Sequence, residues 1–225
     1  MKLLQSLLIA CLVLPTARRA VETSPSATAD WVAVVVGNTA FATGLYGRLR
    51  NRIDNLFFSP ESISTALAMT YAGAGGNTAS EMANTLHFTL PQDWFHPAMG
   101  ALLNHLNAEH DGYQLRVANA LWARQGYTFL DDFLNLTKCD HGAGFDQVDF
   151  KDATEAARLT INRWVERKTE DKITDLLPPG NISSKTKLVL TDAIYFKGDW
   201  QTEFDKARTR DRDFHLSAAQ NVKSP

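Results

Sequence analysis

The side chains whose types and spacing could do chemistry are few in this 225-residue sequence: six histidines, paired acidic residues, one glycine-rich run and two cysteines. A zinc hydrolase needs two imidazoles one helical turn apart with a carboxylate between them, so that all three face one ion. No His-Glu-x-x-His stretch occurs, and His105 and His110 are spaced for different faces of a helix. Solvated helix-surface positions account for the histidines. The run Gly73-Ala74-Gly75-Gly76 is not followed by the Gly-Lys-Ser/Thr of a phosphate loop, so it reads as a helix terminator, and no Gly-x-Ser-x-Gly elbow presents a serine for acyl transfer. Asp131 and Asp132 stand at a helix start, where negative charge complements the macrodipole. Cys139, between Lys138 and Asp140, lacks the neighbouring histidine a thiol nucleophile requires. The expectation is no enzyme, with no catalytic residue, no metal and no cofactor.

The elements that would carry these residues follow from hydrophobic period. Val34, Val35, Phe41, Ala42, Leu45 and Leu49 keep helical spacing through Trp31 to Arg50. Asn55-Leu56-Phe57-Phe58 reads as a short buried strand. Ser59-Pro60 is an N-cap followed by proline at the first helical position, opening a helix whose inward stripe is Ile63, Ala66, Leu67, Thr70 and Tyr71. Thr78-Ala79-Ser80-Glu81 has the form of a capping box, with Met82 and Leu86 buried beyond it. Another helix fits between Pro91 and His110. From Tyr113 the period becomes two: Tyr113, Leu115, Val117, Asn119 and Leu121 share one face of a long strand. A short helix over Phe129 to Thr137, a strand over Gly144 to Phe150, and a helix capped by Asp152 with Glu155 and faced by Ala157, Ile161, Trp164 and Val165 come next. Leu188 to Phe196 is apolar on both faces, as in a strand covered on both sides. Helices first and long strands later make the fold class α+β.

Composition narrows the function. With 23 basic and 25 acidic side chains, a net charge of −2 and 44% hydrophobic residues, the chain is a folded globular type rather than a disordered one. It lacks the basic excess expected of a nucleic-acid binder. Residues 1–20 read as a secretory signal peptide: Lys2 precedes an apolar run from Leu7 to Leu14 that is too short to span a bilayer, and the cut falls between Ala17 and Ala29. Export to the extracellular space is expected, with no membrane partner. Asn135 and Asn181 head glycosylation sequons.

Six stretches in series carry a specific resemblance. They are Asn55-Leu56-Phe57-Phe58-Ser59-Pro60-Glu61-Ser62-Ile63-Ser64, the Gly-Ala-Gly-Gly-Asn-Thr run before Glu81-Met82, Ala120-Leu121-Trp122, Ile161-Asn162-Arg163-Trp164-Val165-Glu166, Lys172-Ile173 and Tyr195-Phe196-Lys197-Gly198-Asp199-Trp200. Their order and spacing resemble a serpin. The resemblance implies an incomplete serpin fold: helices A–F packed on strands 1A, 2A and 3A of a large antiparallel sheet, and the start of sheets B and C. Residues 21–225 would be the N-terminal portion of a single serpin domain, truncated before the reactive-centre loop.

The resemblance implies inhibition of a serine or, less often, cysteine protease by suicide-substrate loop insertion beside strand 3A, with no reactive bond in this chain and no activity of the chain alone. The alternatives are a non-inhibitory serpin, acting as carrier or chaperone, and an inactive truncated product. Asn55, Ser59, Ser62 and Asp192 match the family's shutter beneath the sheet, and Trp200 its breach. Asp192 stands where the family usually has asparagine. A buried carboxylate only accepts hydrogen bonds, so Asp192 is expected to be protonated or multiply hydrogen-bonded. With its partner strand missing, Leu188 to Phe196 would form a bare apolar edge prone to self-association.

Overall fold

A computed structural model describes residues 27–52, 55–217 and 220–224; the expected signal peptide lies outside these residues. Among the described residues there are six α-helices: α1 (Ala27–Leu49), α2 (Pro60–Tyr71), α3 (Gly76–Leu86), α4 (Gln92–Leu106), α5 (Asp131–His141) and α6 (Thr154–Lys168). The strands are β1 (Tyr113–Arg124), β2 (Gly144–Val148), β3 (Leu188–Gly198), β4 (Arg212–Ser217) and β5 (Gln220–Ser224). The three-stranded sheet has the order β2-β1-β3, and β4 and β5 form a separate antiparallel pair.

The main sheet is mixed where an antiparallel one was expected. β1 and β2 run parallel, with Ala120 opposite Gly144, because the chain returns through the crossover helix α5 and so re-enters in the same direction. β1 and β3 are antiparallel along their whole length, from Tyr113↔Gly198 to Ala123↔Leu188.

Each face of this sheet has its own core, as the period-two alternation dictates. On one face Ala120, Trp122 and Val189 meet Ala157, Ile161 and Trp164 of α6, and the Trp122 indole donates to Thr191 at 3.0 Å. On the other, α2 and α5 bring Met69 and Phe133 against Leu121, Leu188 and Leu190, while Phe41, Tyr71, Phe95 and Leu103 join α1, α2 and α4. α1 approaches closely because Gly37 has no side chain: a Cβ there would stand 2.3 Å from the His87 carbonyl oxygen. Beyond α6, Arg158 donates to Glu155, to Asp175 at 3.0 Å and to the Leu177 carbonyl at 2.6 Å, and Asn162 donates to the same two groups. These bonds tie the link to β3 onto the helix.

Several local expectations are corrected. Asn55 to Phe58 is no strand, since none of the described residues offers it a ladder partner, and Phe57 is 98% exposed. α3 starts before the Thr78 capping box, at Gly76 behind an N-cap glycine, so Thr78 lies inside the helix. α6 follows Ala153 with no side-chain cap, Glu155 being drawn to Arg158 instead. The buried face of α2 is Ser64, Thr65, Ala68, Met69 and Tyr71, while Leu67 and Thr70 are exposed. Small side chains let α2 sit close beneath the sheet, which a search for apolar period overlooks.

Candidate functional site

The residues singled out from sequence fall into three groups. Ser59, Ser62 and Asp192 come together where α2 meets β3. Asn55 stands exposed in the segment before α2, and Trp200 is 70% exposed, its ring edge-on to Phe204 at 5.1 Å rather than packed on the sheet.

At the α2–β3 contact, Ser59 caps α2 by accepting from the Ser62 backbone N–H at 3.2 Å, which frees the Ser62 hydroxyl to donate to Oδ1 of Asp192. Beside it the Glu61 carboxylate accepts from Asn38 Nδ2 on α1 at 2.8 Å and from the Thr65 hydroxyl at 3.1 Å. Burial raises the pKa of both acids. Asp192 is pushed up to about 7, the desolvation being opposed by the Ser62 hydrogen bond and reinforced by the charge of Glu61. Glu61 is raised by burial, with the Thr65 hydroxyl pulling it back. Oδ2 of Asp192 is buried without a partner.

Across the ladder, Asn119 of β1 is the register partner of Asp192. Its Nδ2 donates to the His141 carbonyl at 3.4 Å, and its Oδ1 is also buried and unpartnered. His141, at the end of α5, bonds through Nε2 to Nδ1 of His96 on α4 at 2.9 Å. Both rings are buried, that of His96 beside Tyr71 and Phe95. Desolvation lowers both: His96 falls to about 4 despite the Asp93 charge, and His141 to about 3 with His96 adding repulsion. The expectation of solvated histidines is therefore wrong for these two. His105 and His110 are also closer than expected, with ring centroids 5.8 Å apart, because His110 lies beyond the end of α4.

The arrangement has no activated nucleophile and no aligned donors for an oxyanion. It is a hydrogen-bonded fastening that joins α1, α2, β3, β1, α5 and α4. Among the described residues no group of three or more His, Cys, Asp or Glu could hold a metal, and no helix is long and apolar enough to cross a membrane. Sequence reasoning missed Glu61, Asn119, His96 and His141. Asn119 did leave a signal, a polar residue in the inward stripe of β1, whereas the histidines meet only through tertiary packing.

Comparison with known proteins gives a consistent result. The family model Serpin (serine protease inhibitor) matches residues 36–225. The chain is 42% identical over 182 residues to the leukocyte elastase inhibitor of Homo sapiens, covering 80% of this chain and 48% of that protein. It is 42% identical over 192 residues to serpin B6 of Bos taurus, covering 84% and 50%. Among solved structures, ovalbumin from emu superposes with a TM-score of 0.79 at 29% identity, covering 85% of this chain and 53% of that one. Cleaved kallistatin complexed with heparin gives 0.79 at 32%, covering 87% and 58%. The chain spans about half the length of the curated relatives it matches. The leukocyte elastase inhibitors and serpin B6 proteins are intracellular serpins, and this overturns the expected extracellular location.

Proposed function

The chain belongs to the serpin family, and we propose that residues 21–225 form the N-terminal portion of one serpin domain whose whole acts as a protease inhibitor by loop insertion beside β3. Family members are inhibitors rather than catalysts. The observation that carries the reading is the long β1–β3 ladder with its far edge bare: among the described residues β3 is paired on one side only. A strand inserted there would complete the sheet. In this reading Ser59, Ser62 and Asp192 fasten β3 to α2, Asn55 and Trp200 take their shutter and breach places only against further chain, and the partner is a serine or cysteine protease. The 225-residue chain alone is inactive and associates with itself through Leu188 to Phe196.

A chimera tests this. Residues 36–225 replace the matching half of the human leukocyte elastase inhibitor, and the product is mixed with leukocyte elastase. A covalent complex that survives denaturing electrophoresis supports the reading, and clean cleavage of the loop with no trapped protease overturns it. Size-exclusion chromatography of the 225-residue chain tests the edge, a strictly monomeric elution counting against it.

A further inference from the structure

The least expected feature of the α2–β3 contact is a pair of acceptor oxygens with no donor between them. Asn119 and Asp192 are opposite one another in an antiparallel ladder, so their side chains leave the same face with Cβ atoms about 5 Å apart. Oδ1 of Asn119 and Oδ2 of Asp192 are both buried, and neither has a partner. Two acceptors cannot bond each other unless one carries a proton. The Ser62 hydroxyl donates to the other oxygen of Asp192, Oδ1, and the Asn119 amide donates to the His141 carbonyl. Turning the Asn119 amide over would give Asp192 a donor, but would strip one from His141.

We propose that Asp192 is held as a neutral carboxylic acid whose Oδ2 proton is donated to the Asn119 side-chain carbonyl, so that one proton fastens β3 to β1, and that its loss loosens the fastening of β3 to α2 and β1. The groups facing Asp192 favour the neutral form. α2 presents Glu61, a second carboxyl whose charge opposes ionisation. α1 contributes neutral Asn38, through Glu61, and β1 contributes neutral Asn119. Beyond Asn119, α5 and α4 contribute His141 and His96, which bond each other as a neutral pair. α6 packs on the opposite face, where Arg158 is occupied by its own carboxylates and Arg116 pairs with Glu170. An asparagine at this position would supply a donor at every pH, so the aspartate makes the fastening conditional.

Only the consequence for strand insertion rests on the function proposed above. The test is therefore made without a protease, on the 225-residue chain and its Asp192→Asn variant, by carboxyl ¹³C titration and by urea unfolding at about pH 5 and about pH 9. One aspartate signal should titrate near neutrality and be missing from the variant. With Asp192 raised from 3.8 to about 7, the folded-to-unfolded ratio of the unaltered chain should fall roughly a hundredfold relative to that of Asp192→Asn between those pH values. The variant keeps a donor, has nothing to ionise at this position, and carries only the opposite pH dependence of His96 and His141. An Asp192 signal in the ordinary carboxylate range overturns the proposal, as does the same pH dependence of unfolding in Asp192→Asn as in the unaltered chain. If the variant does not fold, the titration of the unaltered chain decides alone. Failure here leaves the chimera result untouched, and failure of the chimera leaves the proton on Asp192.

Discussion

Two titratable pairs, one half-buried and one buried, lie on either side of Asn119, and they respond to pH in opposite senses. The carboxyls Glu61 and Asp192 are raised by burial, while the imidazoles His96 and His141 are lowered by the same cause. Desolvation penalises the charged form in both cases, and the charged form is the deprotonated one for an acid and the protonated one for histidine. The α2–β3 contact is thus strongest in acid and weakens as pH rises through about 7, whereas the α4–α5 contact is intact above about 6.5 and weakens as pH falls toward about 4. The same desolvation produces two opposite dependences over one overlapping pH range, and each offsets part of the other.

The largest expected effect comes from the apolar shell. Phe95, 1% exposed, packs on Phe88, Tyr71 and His96, so Phe95→Ala should lower unfolding free energy by about 4 kcal/mol in urea melts. It should also raise the pKa of His96 by admitting water, which sharpens the contrast. Next, acidifying the unaltered chain from about pH 7 to about pH 4 should cost on the order of 3 kcal/mol net, the two imidazoles losing about 3 kcal/mol each and the protonation of Asp192 returning about 3 kcal/mol, and a His96→Phe, His141→Leu chain should lose that cost. If the double variant keeps the full acid slope, the histidine half of the comparison is broken. Ser62→Ala should cost about 1–3 kcal/mol and move the Asp192 titration upward, because the lost hydrogen bond favours the charged form; alkaline weakening then extends to higher pH. The smallest effect belongs to the exposed ion pair Arg116–Glu170: Glu170→Gln should change stability by less than about 1 kcal/mol and vanish in high salt.

Period and punctuation made most elements legible. The alternation from Tyr113 and the two-sided apolar run from Leu188 became β1 and β3, and Ser59-Pro60 became the cap of α2 because cap chemistry is local. Asn55 to Phe58 misled because a strand is a property of a pair, and the sequence of one member does not supply the other. The fastening was half visible. Asp192 stood out through the family resemblance, whereas Asn119 was passed over as one member of a strand face, and only the register set them opposite one another. His96 and His141, 45 residues apart on two helices, carry no mark that pairs them.

The antiparallel ladder also fixes an order of events. β2 returns to β1 through one helix, but β3 does so from far along the chain: Trp122 finds Thr191 69 residues later, and Ser62 finds Asp192 130 residues later. Closing such loops costs entropy before any contact compensates it, so long-range pairing is slow. During synthesis or refolding, β1 therefore waits beside β2 with one apolar flank unpaired until β3 arrives, and that interval is when a second copy competes most effectively for the place.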